Sequence, residues 1–178
     1  TTLESIFGTN MKDGSIGKIS ENRFARADLE HILLCVDDDM KTEALKQTNY
    51  ITSIVTAQGT MDLERKGTQS YQGWMFARLL AFSNGDLQAL YDRSDGFYRR
   101  QLVLTAKGKA PGRIDDPDLG EKLKTEAEGI FLWAFAGLQR LVSNGFKFTE
   151  SFRIQENRES VRRDQNNVFS FLESDGYV

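Results

Sequence analysis

The feature that most constrains the fold is a run of five apolar residues, 32–36 (ILLCV), followed by three aspartates at 37–39. Apolar and polar residues do not alternate in this run, so a strand built from it would be covered on both faces. Such strands are typical of parallel sheets packed between helices. Because strand candidates alternate with helical patterns along the chain, we expect an α/β fold.

The rest of the chain divides into further helices and strands. Apolar residues recur at helical spacing in four segments: 2–7 (ended by Gly8), 23–30, 44–56 and 119–142. Strands are predicted around 16–19, at 101–105, and as a pair joined by a turn near 66–69, the second ending in the run 79–82. The aromatic residues of the helix at 119–142, Phe131, Trp133 and Phe135, are predicted to be core, with a close contact or a break at Gly129 and Gly137.

Composition excludes several kinds of site. Cys35 is the only cysteine, which rules out an internal disulfide and a cysteine zinc site. His31 is the only histidine and has no evident second ligand. No stretch reaches the ~18 consecutive apolar residues of a membrane helix, so no membrane partner is expected. Together with the single cysteine, this favours a cytoplasmic protein.

Charge is unevenly distributed along the chain. The net charge of −3 argues weakly against a nucleic-acid partner. However, residues 28–39 hold five acids and no lysine or arginine, whereas residues 92–113 hold six basic residues and two aspartates. Such sorting either brings opposite charges to one site or produces two solvated faces.

The acids at 37–39 follow a strand that is expected to be buried. They should therefore lie at the carboxyl edge of the sheet, where open α/β sheets bind ligands. Paired acids there can hold Mg²⁺ and polarise a water, as in the Walker B motif of ATPases. The alternative is an acidic turn after a core strand.

Two other segments carry polar groups that suit phosphate chemistry. Ser83 and Asn84 end the apolar run at 79–82, and a neutral amide there can orient an attacking water; ordinary turn chemistry is the alternative. Arg99 and Arg100 precede a strand candidate, where a guanidinium can stabilise a phosphoryl group bound by a neighbouring subunit. The alternative for them is a salt bridge to Asp92 or Asp95.

Together and in this order, the three segments resemble the superfamily 3 helicase domain of phage, plasmid and poxvirus-type primase-helicases. The resemblance covers roughly residues 1–145, and SDGFYRR at 94–100 is its sharpest signature. It implies a P-loop NTPase of the AAA+ class that uses ATP and Mg²⁺. It also implies a homo-oligomeric ring, expected to be a hexamer, that translocates on single-stranded DNA during replication in a bacterial host cell.

The resemblance assigns roles to the acids and the amide. Asp37 and Asp38 match the paired Walker B acids, which hold the metal and activate water, and Asp39 leaves the register open by one residue. Asn84 matches the polar sensor that positions the water.

The resemblance also assigns roles to basic residues. Arg100 best matches the arginine finger, with Arg99 next to it. Lys66, with Arg65, falls where the family's hairpin directs basic residues toward DNA in the central channel; a solubilising loop lysine is the alternative for Lys66. Nearby aromatic residues can stack on bases or pack on the sheet: Tyr71, Trp74 and Phe76.

One departure from the family is serious, because the phosphate loop GxxxxGK followed by Ser or Thr is missing. The segment GSIGKIS at 14–20 has Gly17 and Lys18, but Lys12 stands where glycine is required and Ile19 replaces Ser or Thr. Residues 1–8 resemble the tail of the helix that follows the loop. We therefore expect a chain truncated before or within the Walker A region, which lacks that motif's strand, binds ATP poorly and hydrolyses none.

This interpretation gives three regions: a partial ATPase core at 1–118, a helical lid at 119–148, and at 149–178 a linker helix with the start of a further DNA-binding domain. Two other functions compete with it. The chain is alternatively a non-catalytic remnant that binds single-stranded DNA or an intact homologue. A metal-dependent phosphodiesterase built on residues 37–39 ranks last, because spaced acids and histidines are lacking.

Overall fold

The computed structural model of the protein describes residues 1–41, 45–84 and 95–164. The strands in this part of the chain are β1 (Met11–Asp13), β2 (Leu34–Asp37), β3 (Thr60–Leu63), β4 (Tyr71–Trp74) and β5 (Arg78–Ala81). Three of them form a parallel sheet in the order β1–β2–β5, while β3 and β4 pair as an antiparallel hairpin. The fold is thus mixed α/β with a small parallel sheet, as the sequence predicts.

The helices of the described residues are α1 (Thr2–Phe7), α2 (Ile16–Glu21), α3 (Arg23–Ala27), α4 (Asn49–Val55), α5 (Asp95–Tyr98), α6 (Leu119–Thr125), α7 (Ala127–Ser143) and α8 (Phe152–Asp164). Gly8 ends α1 with φ of +52°, as predicted. The helices predicted at 23–30 and 44–56 are shorter than expected. Among the described residues, no helix is both long enough and apolar enough to cross a bilayer.

β2 is the central strand of the parallel sheet. Cys35 and Val36 are almost completely buried, and burial raises the pKa of the Cys35 thiol to about 11. α4 contacts both β5 and α2, and Ile16, Ile51 and Ile54 contribute to the same core. The buried strand predicted at 32–36 is confirmed only for its last part: the strand begins at Leu34, and Leu33 is 47% exposed.

The strand predicted around 16–19 is wrong, because these residues form α2. Ser15 precedes this helix, and its hydroxyl accepts a hydrogen bond from the Lys18 amide. Ile16 and Ile19 are one turn apart and both buried, a spacing that suits one face of a helix. The strand of this region is β1, just upstream.

The strand predicted at 101–105 is also wrong. This segment has no regular secondary structure. A side chain of α8, and not a neighbouring strand, forms a hydrogen bond with its main chain. The Asn157 side-chain amide in α8 donates to the Val103 carbonyl at 3.1 Å and to the Thr105 hydroxyl at 3.2 Å.

The hairpin is confirmed, but its second strand is shorter than predicted. Gly67 has φ of +81° in the turn, a conformation that glycine adopts without strain. After β4 the chain leaves the hairpin through the buried residues Met75 and Ala77 and enters the parallel sheet as β5. The apolar run at 79–82 therefore belongs to the other sheet.

The helical segment predicted at 119–142 forms two helices, and their packing differs from the prediction. The break falls at Glu126, between α6 and α7, and both helices contact α1. The aromatic residues predicted to be core are exposed: Phe131 by 51%, Trp133 by 79% and Phe135 by 46%. α7 is apolar around most of its circumference, and within the described residues its neighbours cover only part of it.

Candidate functional site

The carboxyl ends of β2 and β5 lie side by side. Asp37 pairs with Ala81 in the ladder, and the Phe82 amide donates to the Asp37 carbonyl at 2.8 Å. The loops that follow the two strands are also bonded: the Met40 amide donates to the Phe82 carbonyl at 3.0 Å, and the Ser83 hydroxyl donates to the Met40 carbonyl at 3.1 Å. The acids at 37–39 and the amide at 84 are thus at the same edge of the sheet.

The three aspartates have different environments. Asp37 is buried, and its Oδ2 accepts a hydrogen bond of 2.8 Å from the amide of Ile16, the first residue of α2. Asp38 and Asp39 are exposed. A carboxylate at a helix N-terminus satisfies an otherwise unpaired amide, so one oxygen of Asp37 holds α2 against the sheet.

The exposed oxygens of this edge are of the type that Mg²⁺ prefers, since that ion binds through one or two carboxylates, waters and substrate phosphates. By residue type alone, these acids match the ligands of the metal expected from the sequence. Within the described ranges, no group of three or more His, Cys, Asp or Glu side chains is arranged to hold a metal ion.

Asn84 is exposed and is the last described residue before the gap at 85–94. Arg99 and Arg100 are exposed directly after α5, which is fixed by its buried aromatic residues Phe97 and Tyr98. Their rings pack edge to face, with centroids 5.3 Å apart. The structure therefore fixes the backbone from which both arginines project.

The Arg100 guanidinium donates to the carbonyl of Gly96, one turn back. Among the described residues, neither Arg99 nor Arg100 forms an ion pair with an acid. Asp92 and the side chain of Asp95, the alternative partners considered from the sequence, lie outside the described structure. The acids and Asn84 thus follow two neighbouring strands at one edge of the sheet, and the arginines occupy a separate segment.

The two basic residues of the hairpin differ in their surroundings. Lys66 is exposed in the turn. Arg65, one residue earlier, donates from Nε to the Tyr71 hydroxyl at 2.8 Å and from Nη2 to Glu30 Oε2 at 3.0 Å. The Tyr71 hydroxyl donates to the same Glu30 oxygen at 2.6 Å. Sequence reasoning did not single out Glu30, and no local pattern indicates it.

The aromatic residues at the end of the hairpin are half exposed. Trp74 and Phe76 stack on each other with centroids 6.0 Å apart and rings 4° from parallel. Their exposed fractions are 52% and 49%. They are neither fully packed on a sheet nor free of contacts, and each leaves aromatic surface accessible.

Comparison with known proteins gives a family and a fold. A model described as a family of unknown function (DUF5906) matches residues 1–100. The apo structure of the NrS-1 C-terminal region (305–718) is similar with a TM-score of 0.57 and 15% identity, over 93% of this chain and 38% of that one. Its A-form apo structure gives a TM-score of 0.49 and 14% identity, over 97% and 38% of the two chains.

The first of these structures shares the fold, and the protein spans less than two fifths of the length of either. No curated protein matches the sequence. Because the family model covers more than half of the chain, this protein belongs to the DUF5906 family.

Proposed function

We propose that this chain is part of a replicative ATP-dependent DNA helicase of the superfamily 3, AAA+ type, as found in the primase-helicases of phages, prophages and plasmids. The observation that supports the proposal is the adjacency of β2 and β5, since the acids at 37–39 and Asn84 follow the ends of these two neighbouring strands. Ligands bind at the carboxyl ends of strands in open α/β sheets.

At this edge, Asp37 and Asp38 hold the Mg²⁺ of bound ATP and activate the attacking water, which Asn84 positions. Arg100, with Arg99 beside it, reaches the nucleotide of the neighbouring subunit in a hexameric ring. The motif GxxxxGK is not in this sequence, so hydrolysis is proposed for the full-length protein, and the 178-residue chain alone is expected to be inactive. In this arrangement residues 1–118 supply part of the ATPase core, 119–148 the helical lid, and 149–178 a linker helix with the start of a further DNA-binding domain.

The hairpin supplies the contact with single-stranded DNA. Lys66, with Arg65, presents positive charge at the turn, and such charge binds the phosphate backbone without reading sequence. The half-exposed rings of Trp74 and Phe76 support this function, because bases stack on accessible aromatic side chains. We place the protein in the cytoplasm of a bacterial host cell and propose no membrane partner.

The test is ATP hydrolysis by the full-length protein with and without single-stranded DNA, together with unwinding of a forked duplex. Arg100→Ala should lower turnover about 10³-fold or more while sparing nucleotide binding. Arg113→Ala is the matched control, since Arg113 is exposed and lies away from this site in the sequence. Absence of DNA-stimulated hydrolysis in the wild type, or full turnover in Arg100→Ala, would remove the helicase proposal.

A non-catalytic function is the second candidate, and the exposed aromatic side chains of α7 favour it. Phe131, Trp133 and Phe135 present apolar surface of the kind that marks interaction sites. In this case the protein binds single-stranded DNA or an intact homologous helicase without hydrolysing ATP. A full-length protein that binds oligonucleotides or the homologue and shows no turnover would favour this candidate.

A further inference from the structure

A carboxylate ties the basic hairpin to the loop that leads into β2. Glu30 lies between α3 and β2, and its side chain is 13% exposed. It accepts bonds from Arg65, just after β3, and from Tyr71, the first residue of β4. Arg65 also donates to Tyr71, so the three side chains close a triangle at the turn end of the hairpin.

The surrounding backbone leaves room for this carboxylate. A Cβ atom built on Gly73 would lie 2.8 Å from Glu30 Oε1 and 2.4 Å from Leu63 Cδ1. Arg65 extends the connection to the main chain, because Nη2 lies 3.5 Å from the Ala27 carbonyl. The hydroxyl of Tyr71, followed by Arg65, keeps the pKa of the Glu30 carboxyl below its ordinary value, so the carboxylate is charged at neutral pH.

The charged side chains of the hairpin differ in whether they already form an ion pair within the protein. Arg65 is paired with Glu30, and Glu64 is paired with Arg23 at 3.2 Å. Lys66 is exposed, and no ion pair to it occurs among the described residues. A charge whose carboxylate partner is already in place has less to gain from a phosphate than an unpaired one.

We infer that Arg65 is a positioning residue that acts through Lys66: the Glu30–Arg65–Tyr71 triangle holds the turn end of the hairpin, and Lys66, in that turn, makes the contact with the phosphate backbone of single-stranded DNA. The DNA contact rests on the proposed function. The triangle itself is a property of the structure and is tested separately.

The two possible roles of Arg65 predict opposite signs for one variant. Glu30→Gln removes a negative charge from beside the hairpin turn. If Arg65 touched DNA directly, this change would release it and strengthen binding. If Arg65 is a brace, the neutral amide holds it more weakly, and affinity for DNA should fall about fivefold, as for the loss of one ordinary hydrogen bond.

The experiment measures binding of fluorescein-labelled oligo-dT to the full-length protein by anisotropy at several salt concentrations. Glu30→Gln and Tyr71→Phe should both weaken binding, the second without any change in charge. Lys66→Ala should weaken binding and make the salt dependence shallower by about 0.7 in log–log slope, as expected for one lost phosphate contact. Lys107→Ala, an exposed lysine outside the hairpin, is the matched control. Tighter binding by Glu30→Gln overturns the inference.

Hydrogen exchange of the amides in 60–74 tests the triangle without DNA. Exchange there should be faster in Glu30→Gln and in Tyr71→Phe than in the wild type, and unchanged in Lys66→Ala. Unchanged exchange in both triangle variants overturns the inference even if DNA binds. Faster exchange in a protein that does not bind oligo-dT supports the triangle and removes the proposed DNA function instead.

Discussion

Replacement of Asp37 by alanine should destabilise the protein much more than replacement of its neighbour Asp38. Asp37 is 8% exposed, and its Oδ2 accepts a 2.8 Å hydrogen bond from the Ile16 amide at the start of α2. Ile16 is itself only 3% exposed, so water has little access to the freed amide. A bond to a charged acceptor contributes about 1.5–3 kcal/mol, and the exposed Asp38 contributes within about 0.5 kcal/mol.

The assay is urea unfolding of the full-length protein followed by far-ultraviolet circular dichroism. Asp37→Ala should lower the free energy of unfolding by about 2 kcal/mol, with an unchanged m-value. Asp37→Asn keeps an acceptor oxygen but loses its charge, so its loss should be smaller. Equal losses for Asp37→Ala and Asp38→Ala would refute the idea that Asp37 holds α2 to the sheet.

Two further predictions concern the packing and the charge of the hairpin. Gly73→Ala places a methyl group 2.4 Å from Leu63 Cδ1, so overpacking should cost about 1–3 kcal/mol in urea unfolding; Gly59→Ala, where a Cβ meets nothing within 4 Å, is the control, and equal effects would contradict the packing argument. Tyr71 and Arg65 hold the pKa of Glu30 below its ordinary value of 4.5, so this carboxylate stabilises the fold above that pH, and the contribution is lost as pH falls through the lower folded value. The urea midpoint should therefore depend less on pH below about 4.5 in Glu30→Gln than in the wild type, and equal pH dependence in the two proteins would argue against this.

Local sequence predicted the elements whose signal is local. The run ending at Val36 is a buried central strand because its residues have no polar face. The hairpin follows from two strand-like segments and the permissive backbone of Gly67. Since β2 and β5 are parallel neighbours, Asp37 lies beside Ala81 at the carboxyl edge of the sheet, and the loops after both strands start there.

Other features depend on residues far apart in the chain. Glu30 is 35 residues from Arg65 and 41 from Tyr71, so no window of sequence shows the triangle. The segment around Val103 has strand-like composition, but β propensity reflects available neighbours, and here Asn157 bonds its main chain. Trp133 has core-like spacing, yet spacing cannot show whether another surface covers a helix face.

The triangle of side chains also determines how the hairpin can move. It holds the turn end of the hairpin, where β3 ends and β4 begins, to the loop before β2. A pull on Lys66, which lies in this turn, would therefore act directly beside Glu30. Because Glu30 lies in the loop that leads into β2, the displacement would reach the strand that carries the aspartates.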